Sequence, residues 1–287
     1  MEARIVRSVV LFVVLLVGFG YLQRSRPSVP DQSNFRTGFA LDCLYWFITP
    51  LVSQVLSMGA IICVMFPVYY LIGRSTEWDV VMHGFGPVAE MPLWAQGLIA
   101  IVIGDFIGYW THRLFHCSKL WDIHAVHHGS TDLDWLSAVR VHPINDVISR
   151  VAQASPVLLL GVSPLAVEAY VPFLSAYIAF IHANVKIDYG IWQYVIASPK
   201  FHRFHHTVDR ASWGKNFSGL FPVFDLMFGT FYLPQGQEPK EFGMEGEPMP
   251  LTFWGQTLYP FRHLIRQRQR SRIKRRANNS NSHPINS

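Results

Sequence analysis

Residues 51–72 contain no Asp, Glu, Lys, Arg or His, and this run does more than any other feature to limit the possible folds. At about 1.5 Å per residue, a helix of that length reaches across the ~30 Å hydrocarbon core of a bilayer. Backbone polar groups find no water there, so a lone segment of this kind must be helical. Two further runs are long enough to do the same: residues 5–22, with Arg4 and Arg7 at its start and Arg24 and Arg26 after its end, and residues 93–110. The first has the basic start of a signal peptide. No small-residue cleavage pattern follows it, and it is expected to persist as a helix. The third contains Gly104 and Gly108, a small-residue pair that predicts close approach of another helix. Residues 147–181 are also apolar but are broken by Pro156, Gly161, Pro164 and Pro172. This pattern predicts a helical hairpin that enters the membrane and returns to the same face.

Composition supports the membrane reading, because half the residues are apolar and only 15% are charged. The net charge of +5 is local in origin. Eight Lys/Arg and no acid lie between Arg262 and Arg276, which leaves −3 on the remainder. A nucleic-acid partner is therefore not expected; the membrane is. Three cysteines without a CxxC pair argue against a disulfide framework or a cysteine-based zinc site. Residues 23–50 carry three arginines, whereas residues 73–92 carry one arginine and three acids. The positive-inside rule then places the first link in the cytoplasm, the second loop outside, and everything after Trp110 in the cytoplasm. The N-terminus falls outside on this reading. The chain divides into N-terminal membrane helices and linker (1–92), a histidine-bearing unit (93–233) and a basic tail (234–287) whose Asn/Ser end is expected to be disordered.

Three histidine clusters follow the third span. His112-Arg-Leu-Phe-His116 comes directly after it, then His124-Ala-Val-His127-His128, and much later His202-Arg-Phe-His205-His206. Histidines three and four apart share one face of a helix. Eight such side chains on meeting helices form a metal-binding constellation, and eight nitrogens are too many for one ion, so two ions are expected. Neutral imidazole suits iron, zinc, copper and nickel. His142, before the hairpin, and His182, after it, are expected to return to the same place and bring the set to ten. Pro143 also fits His142 for a helix-entry role. His83, His263 and His283 are expected to take no part. Haem would need only two axial histidines and leaves the paired boxes without purpose. No HExxH supplies the glutamate base of a zinc hydrolase. A non-enzymatic transporter or electron carrier is the rival from another class, but a transporter places polar groups at the midplane of several spans. Here they follow span ends. Asp105 lies inside the third span, two turns before His112. An ionisable residue there is expected to be functional, as a carboxylate behind an imidazole. Asp146, Asp188 and Asp209 are weaker candidates for the same role, and Asp225 reads as a fold residue.

The boxes, together with Val141-His-Pro-Ile-Asn145, Ile181-His-Ala-Asn-Val185 and the stretch Asn216 to Thr230, resemble the fatty acid hydroxylase superfamily, which includes the sterol desaturases. The resemblance covers residues 93–233. The His-Pro and Ile-His elements look more like its sterol C5-desaturase side. Lys186, where fatty acid 2-hydroxylases would continue HxxxH from His182, is a departure. The expected fold is an all-α integral membrane protein of a bacterial inner or ER membrane, with a helical histidine cap that the loop charges place on the cytoplasmic face. The resemblance implies a non-haem di-iron centre, O2 as co-substrate, and hydroxylation or desaturation of a sterol, fatty acyl or other lipid. No HPGG marks an appended cytochrome b5-like domain, so a separate cytochrome b5-like or ferredoxin-like donor is expected to supply electrons.

Overall fold

The computed structural model describes residues 2–117 and 119–281. The helices in chain order are α1 (Glu2–Ser25), α2 (Phe39–Leu71), α3 (Trp78–His83), α4 (Gly86–Ala89), α5 (Leu93–Cys117), α6 (Trp121–His128), α7 (Pro143–Leu159), α8 (Pro164–His182), α9 (Pro199–His205), α10 (Val223–Met227) and α11 (Phe253–Asn281). Tight 3-10 turns occupy Trp135–Val139, Gly190–Tyr194 and Arg210–Ser212. Among the described residues, the only β pairing is an isolated bridge between Thr207 and Phe242. The fold is all-α, and four helices are long and apolar enough to cross a membrane: Ser8–Ser25 within α1, and α2, α5 and α8.

α2 begins earlier than the uncharged run suggests. Residues 39–50 are apolar apart from Asp42 and Thr49, and Pro50 is accommodated inside the helix. Its 33 residues extend about 50 Å, more than a bilayer needs. The surplus first turns carry Asp42 into the histidine-bearing end. There Asp42 accepts from Arg36 Nη2 at 2.6 Å and from Arg140 Nε at 2.6 Å, and Arg36 also meets Asp134 at 2.5 Å. All four side chains are at most 1% exposed. Ion pairs this deep would be costly to leave half-made. They lock the link, α2 and the turn at Trp135–Val139 together. The end of α1 closes the same region, with Phe19 stacked on Trp135 at 5.3 Å.

The interrupted stretch forms α7 and α8, joined by residues 160–163, and Pro156 and Pro172 lie inside the two helices. α7 packs against α2 and α5, and α8 packs against α5 and the turn at Trp135–Val139, so both arms lean on α5 more than on each other. The tip meets the 73–92 loop, where Phe85 N donates to Gly161 O at 3.1 Å. Gly161 has φ +86°, and a Cβ there would lie 1.9 Å from Phe85 O, so only glycine fits. The link at 26–38 lies at the other end: Val29 N donates to Asn184 Oδ1 at 2.8 Å and Gln32 Nε2 to Leu133 O at 3.0 Å.

Close helix approach on α5 follows the small-residue pair at one of its two positions. A Cβ on Gly104 would meet nothing within 4 Å, whereas one on Gly108 would lie 3.2 Å from Gln153 Nε2 of α7. The tight contact is at Gly97, where a Cβ would fall 1.6 Å from the Tyr170 ring of α8. Spacing alone does not say which face of a helix meets a neighbour. The basic run lies within α11. α11 also runs on through Asn278 to Asn281, the start of the Asn/Ser end expected to be disordered, and His283 with the rest of that end, residues 282–287, lies outside the described residues.

Candidate metal centre

Nine histidines converge at the ends of α5 and α8 and on α6 and α9. They form two groups of possible metal donors: His112, His116, His124, His128 and His205 in one, and His127, His182, His202 and His206 in the other. The groups adjoin, with the His128 and His206 rings stacked at 4.3 Å.

Helical geometry explains the boxes. Successive residues on a helix diverge by about 100°, whereas residues four apart nearly eclipse. His124 and His128 therefore face one group while His127 faces the other. The third box mirrors this, with His202 and His206 in the four-histidine group and His205 in the five-histidine group. The second and third boxes thus each serve both groups, a division finer than the single shared face expected from spacing, whereas His112 and His116 of the first box both belong to the five-histidine group.

Five of the rings are oriented from behind. His112 Nδ1 meets Phe217 O at 2.8 Å, His205 Nδ1 meets Lys215 O at 2.7 Å, and His127 Nδ1 meets Arg140 O at 3.2 Å. His182 Nδ1 meets Ile178 O at 2.7 Å and His124 Nδ1 meets Asn145 Oδ1 at 2.9 Å. A carbonyl can only accept, so each Nδ1 carries the proton and Nε2 keeps a lone pair. Nε2 of His116, His128 and His205 is buried without a hydrogen-bond partner among the described residues. Elsewhere Nε2 atoms face one another: His112 and His124 at 3.0 Å, His127 and His182 at 3.2 Å, and His202 with both His182 and His206 at 3.1 Å. In the His112–His124 and His127–His182 pairs, where every Nδ1 holds the proton, two lone pairs at that distance repel unless a cation lies between them. Metal–nitrogen bonds of about 2.0–2.1 Å at angles between about 90° and 109° separate neighbouring donors by about 2.9–3.4 Å. The observed spacing fits donors that share an ion.

Burial sets the charge state. The imidazoles of His124, His127, His128, His202, His205 and His206 are pushed well below the ordinary histidine range, first by burial and then by neighbouring imidazoles. Neutral imidazole is the form that binds metal. Both groups contain histidine alone.

The structure does not bring His142 to either group. Its Nδ1 caps α7 by accepting from Ile144 N at 3.1 Å, and its Nε2 donates to Thr257 O at 3.1 Å. Both nitrogens are used, and the helix-entry role signalled by Pro143 is the one observed. Lys186 points to Glu238 at 3.7 Å. None of the proposed supporting carboxylates touches an imidazole. Asp105 accepts from Gly219 N, Leu220 N and Phe221 N at 3.1, 2.9 and 2.8 Å. Asp146 pairs with Arg150 at 2.9 Å, Asp188 accepts from Gly190 N at 2.8 Å, and Asp209 caps the turn at Arg210–Ser212. A carboxylate is not needed where backbone carbonyls already accept from Nδ1. Asp225 is a fold residue, accepting from Phe217 N and Ser218 N at 2.8 and 2.9 Å. Of the remaining histidines, His83 meets Asp79 O and His263 meets Asp122, both outside the groups.

Sequence reasoning missed two supports. Asn145, which orients His124, stood in the quoted His142-Pro-Ile-Asn145 element, and that placement was its only signal. Arg203 is wholly buried between His202 and His205 in the sequence. It donates to Leu133 O at 2.7 Å, His182 O at 3.2 Å and Asn184 Oδ1 at 3.2 Å, and burial lowers its pKa to about 9.

Residues 97–230 match the fatty acid hydroxylase family. This segment resembles a fatty acid hydroxylase domain. All nine converging histidines fall inside that segment. The ornithine lipid hydroxylase OlsE of Rhizobium tropici is 29% identical over 60% of this chain and 52% of its own length. The alkylglycerol monooxygenase of Homo sapiens is 31% identical over 56% of this chain and 35% of its own length. The very-long-chain aldehyde decarbonylase GL1-4 of Oryza sativa is 28% identical over 50% of this chain and 25% of its own length. The chain thus spans about half of the first relative and less of the others. No solved structure matches it at a significant level.

Proposed function

We propose that this chain is a membrane-bound, non-haem di-iron monooxygenase that hydroxylates a lipid, with its metal centre on the cytoplasmic face. The observation that carries the reading is the pair of adjoining all-histidine groups, with Nε2 atoms 3.0–3.2 Å apart, at the ends of apolar spans. The five-histidine group would hold one ion and the four-histidine group the other. Residues 93–233 would form the catalytic unit, with residues 1–92 as its membrane anchor and 234–287 as a basic tail. The relatives' names, a lipid hydroxylase and a monooxygenase, favour hydroxylation over desaturation.

Bound there, the iron pair would supply the activation of O2 for insertion into an unactivated C–H bond. The balance is one C–H bond, one O2, two electrons and two protons giving one C–OH and one water. The chain's own part is positional. The carbonyls of Lys215, Phe217, Arg140 and Ile178 and the amide of Asn145 hold five imidazoles with Nε2 forward. Burial keeps water from competing at the site. A lipid dissolved in the bilayer would approach along α5 and α8, whose last turns carry His112, His116 and His182. Electrons would arrive from a separate cytochrome b5-like or ferredoxin-like protein on the aqueous side. The exposed Arg262, Arg268 and Arg272 of α11 offer an acidic donor a complementary surface. The three arginines at 23–50, the link at the histidine end, support the cytoplasmic placement.

The test is to incubate the purified protein, a reductase system and membrane lipid extracts with isotopically labelled O2. The reading requires a lipid product that gains one labelled oxygen atom. A lipid pool unchanged with every tested donor, or a new hydroxyl whose oxygen comes from water, would refute it.

A further inference from the structure

Asn216 is the only non-glycine residue with positive φ among the described residues, at 58°. Asparagine tolerates this left-handed conformation better than most side chains, but it is uncommon enough to call for a reason. The reason lies in its neighbours. Lys215 O accepts from His205 Nδ1 at 2.7 Å, and Phe217 O accepts from His112 Nδ1 at 2.8 Å. Both rings belong to the five-histidine group, with centroids 4.4 Å apart. The turn at Asn216 therefore sets the angle between two carbonyls that orient two imidazoles.

The side chain holds that turn in place. Asn216 Nδ2 donates to Phe201 O at 2.8 Å and Tyr232 O at 2.7 Å, and Oδ1 accepts from Tyr232 N at 2.7 Å. Its backbone N donates to Thr230 O at 2.9 Å, and the residue is 0% exposed. Phe201 lies on α9, the helix that carries His202 and His205, so one amide ties that helix to the carbonyls behind two of the rings. By contrast, the acceptors found for the four-histidine group come from elsewhere: Arg140 O for His127 and Ile178 O for His182.

We infer that Asn216 is a positioning residue specific to the five-histidine site: its left-handed turn and amide clamp fix the carbonyls that hold His112 and His205 with Nε2 toward the ion. This rests on the two-metal reading above. Groups behind a metal-binding imidazole typically change metal affinity by about 10–100-fold when removed.

The experiment is an anaerobic titration of the full-length, detergent-solubilised, metal-stripped protein with Co(II) alone, followed by visible absorption and metal analysis. Asn216→Gly keeps the turn accessible and removes the clamp; Asn216→Ala removes the clamp and disfavours the turn, so the glycine variant serves if the alanine variant does not fold. Wild type is expected to bind two Co(II). Asn216→Gly is expected to keep one at wild-type affinity and to bind the other about 10–100-fold more weakly, and adding His202→Ala should weaken the retained ion. Two ions at unchanged affinity in Asn216→Gly would overturn the inference. Equal weakening of both ions with a lower melting temperature would overturn it too, since that is the mark of a merely structural residue. Wild-type protein that binds no Co(II) would instead take down the two-metal reading beneath it.

Discussion

His127 and His128 are adjacent in the chain, yet their rings stand at 90° to each other and belong to different donor groups. The same division recurs at His205 and His206, whose rings meet at 88°. Two consecutive histidines thus reach two donor groups. The separation predicts different losses from two similar substitutions. His128→Ala should remove or weaken the ion of the five-histidine group, and His127→Ala that of the four-histidine group, each leaving about one metal per chain. Metal analysis of the two variants, with the double variant expected near zero, checks this.

His142 gives the complementary prediction. It caps α7 and meets Thr257, away from both groups. His142→Ala should retain both metals and lose about 0.5–2 kcal/mol of stability, the usual cost of a lost helix cap. Metal content and a denaturation midpoint measured on one sample separate the outcomes, and a lost metal would place His142 back among the donors.

What the sequence made legible follows from which features are local. Long apolar runs and histidine boxes are signals within single helices, so α1, most of α2, α5 and eight of the nine converging histidines could be read directly, whereas α8 was legible only as one arm of a broken hairpin and not as a helix long enough to cross a membrane. His182 could be read because the breaks at Gly161 and Pro164 turn the chain back. The acceptors behind the rings were not legible. Four are backbone carbonyls, which every residue possesses, and their use depends on how distant loops meet. Asp105 drew attention because a carboxylate in a span is rare, but sequence cannot show that three backbone amides at 219–221 would satisfy it. Asp42 gave no signal at all, because its partner Arg140 lies about a hundred residues away in the chain.

Asp42 joins Arg36 and Arg140 by bonds of 2.6 Å in a place with no access to water. Asp42→Ala would leave Arg140 buried without that partner, and breaking such a pair costs about 3–5 kcal/mol. Because Arg140 O also accepts from His127, the loss should extend to the four-histidine group. A lower melting temperature together with weaker binding of one metal is the expected result, read by scanning fluorimetry with and without added metal.

The Gly97–Tyr170 contact and the open surface at Gly104 make a matched pair. Gly97→Ala should destabilise the protein by about 1–3 kcal/mol through overpacking. Gly104→Ala should be neutral or slightly stabilising, since alanine is the better helix former. Melting temperatures in one detergent decide it, and equal effects would contradict the packing of α5 on α8.

Six buried histidines outside the spans hold their imidazoles well below the ordinary value of 6.5. The unfolded chain takes up these protons near that value, and the folded chain does not. Below pH 6.5 the unfolded state therefore binds more protons, and the metal-free protein loses stability at up to about 1.4 kcal/mol per pH unit for each histidine. Melting temperature should be flat from about pH 8 to 7 and fall steadily toward pH 5. Bound metal should delay the fall, because it competes with protons for the same lone pairs.

The most direct measurement is the iron content and absorption spectrum of full-length protein purified without oxygen from iron-supplemented cells. Two irons per chain with no haem Soret band is the expected result. Zero or one tightly bound iron, a Soret band, or full activity in a His127→Ala/His205→Ala double variant would contradict a di-iron centre built from two histidine groups.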